Sequence, residues 1–211
     1  KTLFTGNPVR SKILHSEKSI NIYDKYGLDK KRKTILVFGG SQGASSINNL
    51  ILELMSAILE KYNLIHLSGD IGFDSLSKAS LNLRNEEKGR YLLLPSVDEE
   101  MGDFLRSSDL IISRAGANSI AEIIALKKPS IIIPLPSAAS DHQNKNALFL
   151  QKYGVASVMD ELSLSPRLFM DEVDFLIKNT KERARMVSNM RNIFPSDSAK
   201  LLARDILDLV S

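Results

Sequence analysis

Strand-sized apolar runs alternate along the chain with segments of helical periodicity, and this alternation constrains the fold more than any other feature. Because the runs show no polar alternation, they are typical of strands buried on both faces of a parallel sheet. The sequence therefore predicts an α/β domain, a Rossmann-like doubly wound parallel sheet of about six strands. The predicted strands are Thr34 to Phe38, Leu64 to Leu67, Tyr91 to Leu94, Asp109 to Ser113, Ser130 to Ile133 and Val155 to Val158.

Helical periodicity occupies the gaps between these runs and nearly all of the chain after Glu161. We expect residues 1–33 to be a connector with short helices, 34–195 to be the sheet domain, and 196–211 to be a C-terminal helix. That last helix is expected to pack on the domain or towards a neighbouring one. The predicted helices are Ser45 to Lys61, Ala117 to Leu126, Asn144 to Tyr153, Pro166 to Lys178, Lys181 to Asn192 and Ser196 to Val210.

Composition excludes several classes of protein. The 211 residues are 43% hydrophobic and 25% charged, which is typical of a globular protein rather than a disordered one. There is no cysteine, so disulfides, thiolate metal sites and a thiol nucleophile are excluded. No apolar window approaches the length of a membrane span. The chain begins with Lys1 rather than Met, and we expect it to be part of a longer protein.

The net charge of +3 is mild, and the cations are mixed with acids along most of the chain. Only the run Lys30-Lys31-Arg32-Lys33 is dense. It would either contact phosphates or an anionic membrane, or be a solvated run that leads into a strand. The pattern does not indicate a nucleic-acid-binding protein.

Three loops follow predicted strands, where ligands bind in open parallel sheets. The first is Phe38-Gly39-Gly40-Ser41-Gln42-Gly43-Ala44, which leads directly into a helix. Its glycines and the free N–H groups of the helix start favour a diphosphate ligand. The alternative is a tight turn without a ligand. The spacing is neither that of the dinucleotide G-x-G-x-x-G motif nor that of a P-loop.

The second loop runs from Ser113 to Glu122 and also enters a helix. Glu122 would either form a capping box with Ser119 or accept hydrogen bonds from the vicinal hydroxyls of a ribose. Arg114 would pair either with a diphosphate or with an internal acid.

The third loop runs from Pro134 to Ala147 and brings Asp141-His142-Gln143 to a predicted helix start. Imidazole and amide groups there suit sugar hydroxyls, which need both donors and acceptors. The alternative is an Asp141 N-cap with solvated neighbours. His15 and His66 are expected to be structural.

Together these segments resemble the C-terminal domain of the MurG family, which are GT-B glycosyltransferases. The resemblance covers nearly the whole chain, with four family-like segments in the family's order. The segments are Thr5-Gly6-Asn7-Pro8-Val9-Arg10, Gly39-Gly40-Ser41-Gln42-Gly43-Ala44, Ser113-Arg114-Ala115-Gly116-Ala117 with Glu122, and Asp141-His142-Gln143 with Asn146-Ala147.

By this resemblance the chain is a donor-binding domain for UDP-N-acetylglucosamine (UDP-GlcNAc). It places Ser41, Gln42 and Gly43 at the donor diphosphate and Glu122 at the ribose hydroxyls. His142 and Gln143 are expected to face the N-acetylglucosamine ring. Uracil is expected at Ser96 to Met101, through backbone groups of Val97 or Asp98. Three further residues, Arg10, Arg114 and Gly116, complete the expected site.

The resemblance also implies the chemistry of an intact enzyme, which inverts the anomeric centre while converting lipid I to lipid II in peptidoglycan synthesis. No cofactor and no metal ion are implied. The lipid I acceptor contacts, an anionic inner-membrane contact on the cytoplasmic side and the catalytic base belong to an N-terminal domain that this sequence lacks. We therefore expect the chain alone to bind donor but not to transfer sugar.

Three alternatives remain open from the residues. The chain could be a stand-alone donor-binding subunit that needs a partner chain. It could belong to a UDP-GlcNAc 2-epimerase-like isomerase, or to another glycosyltransferase, such as one that makes glycolipids.

Overall fold

The computed structural model describes residues 5–14, 20–39, 44–191, 193 and 198–210. Six strands form one sheet in the order β3-β2-β1-β4-β5-β6, and every neighbouring pair is parallel. This order reverses between β1 and β4, as in Rossmann domains, and the predicted doubly wound α/β fold is confirmed. The strands are β1 (Thr34–Phe38), β2 (Asn63–Leu67), β3 (Tyr91–Leu94), β4 (Leu110–Ser113), β5 (Ser130–Ile132) and β6 (Ser157–Val158).

Helices flank this sheet, together with two 3-10 turns at Ala139–Asp141 and Glu161–Ser163. The α-helices of the described residues are α1 (Ser11–Leu14), α2 (Ile22–Tyr26), α3 (Ser45–Lys61), α4 (Gly69–Ser80), α5 (Asn85–Lys88), α6 (Met101–Ser107), α7 (Ala117–Ala125), α8 (His142–Lys152), α9 (Pro166–Lys178), α10 (Thr180–Met190) and α11 (Ser198–Val210). None of these helices is long and apolar enough to span a bilayer.

The core lies between the sheet and its helices. Every residue of β1, β2 and β4 is buried, as expected for strands covered on both faces. Helix α3 packs on α4, α5 and α9, whereas α6 packs on α1 and α2. Within the predicted connector, Ile13 and Ile22 are fully buried and join this core. The connector is therefore packed on the domain through α1, α2 and α6.

The dense basic run is paired within the fold. Three of its four cations contact carboxylates, which supports a solvated run rather than a free cationic patch. The pairs are Lys30 with Asp24, Arg32 with Asp29, and Lys33 with Asp109.

A buried polar chain links β2, β3 and α3 through His66, which is fully buried. Asn48 donates through Nδ2 to the carbonyl oxygen of Ser68 at 2.9 Å, so its Oδ1 must accept from His66 Nε2 at 2.9 Å. His66 Nδ1 is then the acceptor for the hydroxyl of Tyr91 at 3.3 Å. All these groups are satisfied with a neutral imidazole, which agrees with the predicted structural role of His66.

His66 is expected to make the fold acid-sensitive. Burial lowers the pKa of His66 to about 4, because the charged ring would lose its hydration. The unfolded chain takes up the proton near pH 6.5, so the free energy of unfolding should fall as the pH drops from about 6.5 towards 4. The expected loss is up to about 3 kcal/mol. Urea unfolding at pH 7.5 and 4.5 measures it.

The control for this prediction is His66→Gln, which removes the titrating ring and keeps a polar side chain. Its free energy of unfolding should vary less between the two pH values. Equal pH dependence in both proteins would show that other groups cause the acid sensitivity.

Candidate functional site

A cleft of about 580 Å³ opens at the carboxyl edge of the sheet. The ends of β1 and β2 form its floor, and the loop after β3 and the first turns of α7 form its walls. Parallel sheets bind ligands at this edge, beside the point where the strand order reverses. The lining residues are Arg10, Phe38, Leu67, Pro95, Ser96, Val97, Met101, Gly116, Ala117, Asn118, Ser119 and Glu122.

Glu122 supplies the buried carboxylate of this cleft. Its side chain is only 8% exposed. Helix α7 begins at Ala117 with Gly116 as the N-cap, so Glu122 lies in the second turn. The predicted capping box with Ser119 is therefore wrong, because it needs a helix that begins after Ser119. Glu122 instead lines the cleft, where its carboxylate contacts Arg10.

Gly116 is the residue directly before the first residue of α7. Its φ of −70° is open to any residue, and an added Cβ would meet only Ser119 Oγ, at an ordinary 3.7 Å. Neither backbone conformation nor the described neighbours therefore require glycine here. A ligand that approaches the backbone closely would require it.

The loop after β3 forms the opposite wall and contains Val97, which is half-buried against the core. Asp98 follows it, and its side chain is 64% exposed. Arg10 donates to both walls of the cleft, to Asp98 Oδ1 at 2.5 Å and to Glu122 Oε1 at 3.0 Å. Arg10, Val97, Gly116 and Glu122 thus line one cleft.

Arg114 lies behind the cleft and is 6% exposed. Its guanidinium forms an ion pair with Glu161 and donates to the carbonyls of Ile133 and Pro134 at 3.2 Å. It also donates to Ser46 Oγ, in the first turn of α3, at 2.8 Å. Of the two partners expected for Arg114, the internal acid is the one it contacts in this structure. The residue joins the start of α3 to the ends of β4 and β5.

Arg114→Leu should lower the free energy of unfolding by about 3 kcal/mol, because it leaves a half-buried carboxylate and two carbonyls without their hydrogen-bond donor. The matched control is Arg167→Leu, since the ion pair of Arg167 with Asp171 is exposed and its loss should cost under about 0.5 kcal/mol. Urea unfolding of both variants checks this. Equal losses would contradict a central role for Arg114.

The third loop is held by its own residues. Gln143 accepts through Oε1 from the backbone N–H of Leu135 at 3.0 Å. His142 is exposed, and its Nδ1 donates to the carbonyl of Ala139 at 2.5 Å. Ser140 and Asp141 both have left-handed backbone, with φ of 53° and 57°. Two such residues in succession are strained, and strain of this kind concentrates at functional loops.

Asp141 is the N-cap residue of α8, as the alternative without a ligand predicts, but its side chain does not cap the helix. No backbone N–H of the helix bonds to its carboxylate, which instead accepts from Asn144 Nδ2 at 2.6 Å. Neither His142 nor Gln143 is among the residues that line the cleft. The predicted residues Ser41, Gln42 and Gly43, and also His15, lie outside the described residues.

Asn146 and Asn118 make contacts that the sequence did not predict. Asn146 donates to the carbonyl of Ala115 at 2.9 Å and so fixes the turn before α7 from the side of α8. Asn118 lines the cleft and accepts from Asn7 Nδ2 at 3.0 Å. The only sequence signal for either was its position within or beside a family-like segment.

Comparison with known proteins identifies the family of the chain. The sequence profile of the family described as "Glycosyltransferase family 28 C-terminal domain" matches residues 34–202. The chain belongs to this family. The match confirms the expected C-terminal half of a GT-B glycosyltransferase and favours that class over an isomerase.

Curated proteins that are similar to nearly the whole chain include several named UDP-N-acetylglucosamine–N-acetylmuramyl-(pentapeptide) pyrophosphoryl-undecaprenol N-acetylglucosamine transferase. The protein of this name from Clostridium tetani is 35% identical over 100% of this chain and 54% of its own length. The one from Bacillus subtilis is 30% identical over 96% of this chain and 55% of its own. The chain spans about half the length of the curated relatives it matches.

Solved structures share the fold. MurG of Acinetobacter baumannii superimposes with a TM-score of 0.73 and 24% identity, over 98% of this chain and 56% of that one. A UDP-N-acetylglucosamine 2-epimerase described as putative, from Listeria monocytogenes, superimposes with a TM-score of 0.67 and 12% identity, over 96% and 52%. At these identities the likeness extends to the fold alone.

Proposed function

We propose that the cleft binds the nucleotide of UDP-GlcNAc and that the chain is the donor-binding half of an N-acetylglucosaminyltransferase. The observation that carries this proposal is the buried carboxylate of Glu122 in a cleft at the β1/β4 reversal of a family 28 domain. A carboxylate there can accept hydrogen bonds from both hydroxyls of a ribose. The name shared by the relatives supplies the donor, UDP-GlcNAc.

The parts of the donor are assigned to successive loops. Uracil lies against the β3 loop at Val97, and the ribose hydroxyls bond to Glu122. Gly116 leaves room for the donor beside the start of α7. The diphosphate lies at the start of α3, where free N–H groups and the helix dipole favour negative charge. Ser41, Gln42 and Gly43 are proposed as its ligands.

The acetylated sugar is assigned to the loop that begins α8. Because Nδ1 of His142 donates to Ala139, the neutral ring presents Nε2 outward as an acceptor. Gln143 keeps its amide group to donate to the sugar while its oxygen holds the loop. Arg114 lies behind the cleft and fixes the start of α3 against the ends of β4 and β5.

For the whole enzyme we propose direct displacement at the anomeric carbon, with inversion and release of UDP, so that lipid I becomes lipid II. This domain orients the donor and stabilises charge on the departing diphosphate through N–H groups at the start of α3. The scheme uses neither metal nor cofactor. The lipid I acceptor and the base belong to the N-terminal half, and the enzyme works on the cytoplasmic face of the inner membrane.

The proposed division of the chain is 1–33 as connector, 34–195 as the donor-binding unit and 196–211 as a C-terminal helix facing the other half. The amphipathic helix α11 supports the last assignment, because Leu202 and Ile206 are 40% and 53% exposed.

Glu122→Ala tests the ribose contact. The affinity for UDP should fall about 10- to 100-fold, since the variant loses hydrogen bonds to a charged group. Calorimetric titration measures this, and circular dichroism checks that the fold is retained. Binding of 2',3'-dideoxyuridine diphosphate, which has no hydroxyls to offer, should change by less than about twofold.

The matched control is Glu99→Ala, which removes a carboxylate from the neighbouring wall whose side chain is 87% exposed. Its affinity for UDP should remain within about twofold of the parent chain. Unchanged UDP affinity in folded Glu122→Ala would remove the ribose role of Glu122.

An isomerase of the same fold makes a different product. UDP-GlcNAc incubated with the chain is expected to stay unchanged by proton NMR. Accumulation of the 2-epimer would contradict the transferase assignment.

A further inference from the structure

Glu100 joins the β3 loop to the connector. It is the residue directly before α6, and its side chain is 17% exposed. Its Oε2 accepts from the hydroxyl of Tyr26 at 2.5 Å, and its Oε1 forms an ion pair with Lys25. We propose that Glu100 is a positioning residue, which anchors the β3 loop to helix α2 and so holds that wall of the cleft in the geometry that receives uracil. This inference rests on the proposed function, because uracil is assigned to the wall there.

Helix α2 is a fixed anchor for this contact. Ile22, in its first turn, is fully buried. The hydroxyl of Tyr23 donates to the carbonyl of Ser107, at the end of α6, at 3.1 Å. In the last turn of α2, the ring of Tyr26 packs on Phe104 with ring centroids 5.6 Å apart. Both ends of α2 are therefore held against α6, and its partners for Glu100 cannot move away freely.

Glu100 lies between residues that line the cleft. Met101 follows it directly, and Val97 lies three residues before it. The backbone N–H of Met101 donates to the carbonyl of Asp98 at 3.4 Å, so the two parts of the wall are also linked to each other. A loop held before the ligand arrives loses less freedom on binding. Removal of the Glu100 carboxylate should therefore loosen the wall and weaken the binding of uracil.

The contacts of Glu100 are those of an anchor. Its side chain does not cap α6, although it directly precedes the helix, and it is not among the residues that line the cleft. Both of its oxygens face the connector. The ion pair with Lys25, together with the hydroxyl of Tyr26, holds the pKa of Glu100 below its usual value, so the carboxylate is charged at neutral pH.

That charge separates positioning from a direct electrostatic effect by sign. A negative charge near the cleft repels a diphosphate, so its removal alone would strengthen UDP binding and leave uridine unaffected. Positioning predicts the opposite for UDP, and an equal loss for uridine, which has no phosphate. Inorganic pyrophosphate, assigned to the start of α3, should be unaffected.

Glu100→Ala tests this with calorimetry for UDP and NMR shifts for uridine and pyrophosphate. The affinities for UDP and uridine should both fall about tenfold, and that for pyrophosphate should change less than about twofold. Glu100→Gln can still accept from Tyr26 but offers Lys25 no charge, and should lose only part of this affinity. Circular dichroism checks that each variant is folded.

Tyr26→Phe removes one hydroxyl from the same contact, at a position on the connector that does not line the cleft. It is a milder change than Glu100→Ala and should lower the affinity for uridine about threefold. In the double variant Tyr26→Phe/Glu100→Ala, uridine should bind no more weakly than in Glu100→Ala alone, because the hydroxyl acts through Glu100.

Asp24→Ala is the matched control. Asp24 lies on the same helix, its side chain is 61% exposed, and it forms an ion pair with Lys30. The variant removes one negative charge and one lysine partner from α2, as Glu100→Ala does, but no contact with the β3 loop. Its affinities for UDP and uridine should remain within about twofold of the parent chain.

Several results would overturn the inference. Unchanged uridine affinity in folded Glu100→Ala would show that the contact does not position the wall, and tighter UDP binding would show an electrostatic effect. An equal loss for pyrophosphate, or an equal loss in Asp24→Ala, would show a general loosening of the chain. These outcomes occur in a chain that binds UDP, and so differ from failure of the proposed function, in which the parent chain binds no UDP and the inference falls with it.

Discussion

A parallel sheet whose central strands are buried on both faces confines a polar ligand to the edges where the strands end. Apolar side chains cover both faces of such a sheet, so the polar groups that can bind a ligand lie in the loops beyond the strand ends. Here the reversal between β1 and β4 separates the loops at the carboxyl edge and opens the cleft there. The position of the site follows from how the sheet is buried.

The buried charged groups at this edge, Arg114 and Glu122, are paired. Arg114 and Glu161 form a pair behind the cleft, where removal of one partner would leave the other buried without compensation. Arg10 and Glu122 form a second pair within the cleft itself. The first joins the strand ends to the start of α3, and the second joins the two walls of the cleft. One pair behind the cleft and one pair inside it thus share this edge of the sheet.

The sheet could be predicted from the sequence because unbroken apolar runs between helical segments have few other solutions. Helix α4 (Gly69–Ser80) was missed, since among its residues only Gly69 and Leu76 are buried and no apolar stripe marks it. The capping-box alternative for Glu122 was wrong because the N-cap residue of α7 is Gly116, three residues before Ser119. Helix α8 likewise begins at His142, two residues before the predicted start.

Site contacts were harder to predict than site residues. The resemblance marked Arg10 and Glu122 separately, but their contact joins residues 112 apart in the chain, and nothing local encodes it. For Arg114 the residues left two partners open, and only the packing of β5 and the Glu161 turn chose between them. The role of Ser41 to Gly43 stays a prediction from the family-like glycine loop.

The central claim is that this domain recognises the uridine nucleotide of a sugar donor. Calorimetric titration of the chain with UDP-GlcNAc and UDP, beside GDP and NAD as controls, tests it most directly. The account predicts saturable binding of both uridine ligands at one site per chain, and no measurable heat from GDP or NAD. Binding of all four nucleotides alike, or of neither uridine ligand, would contradict it.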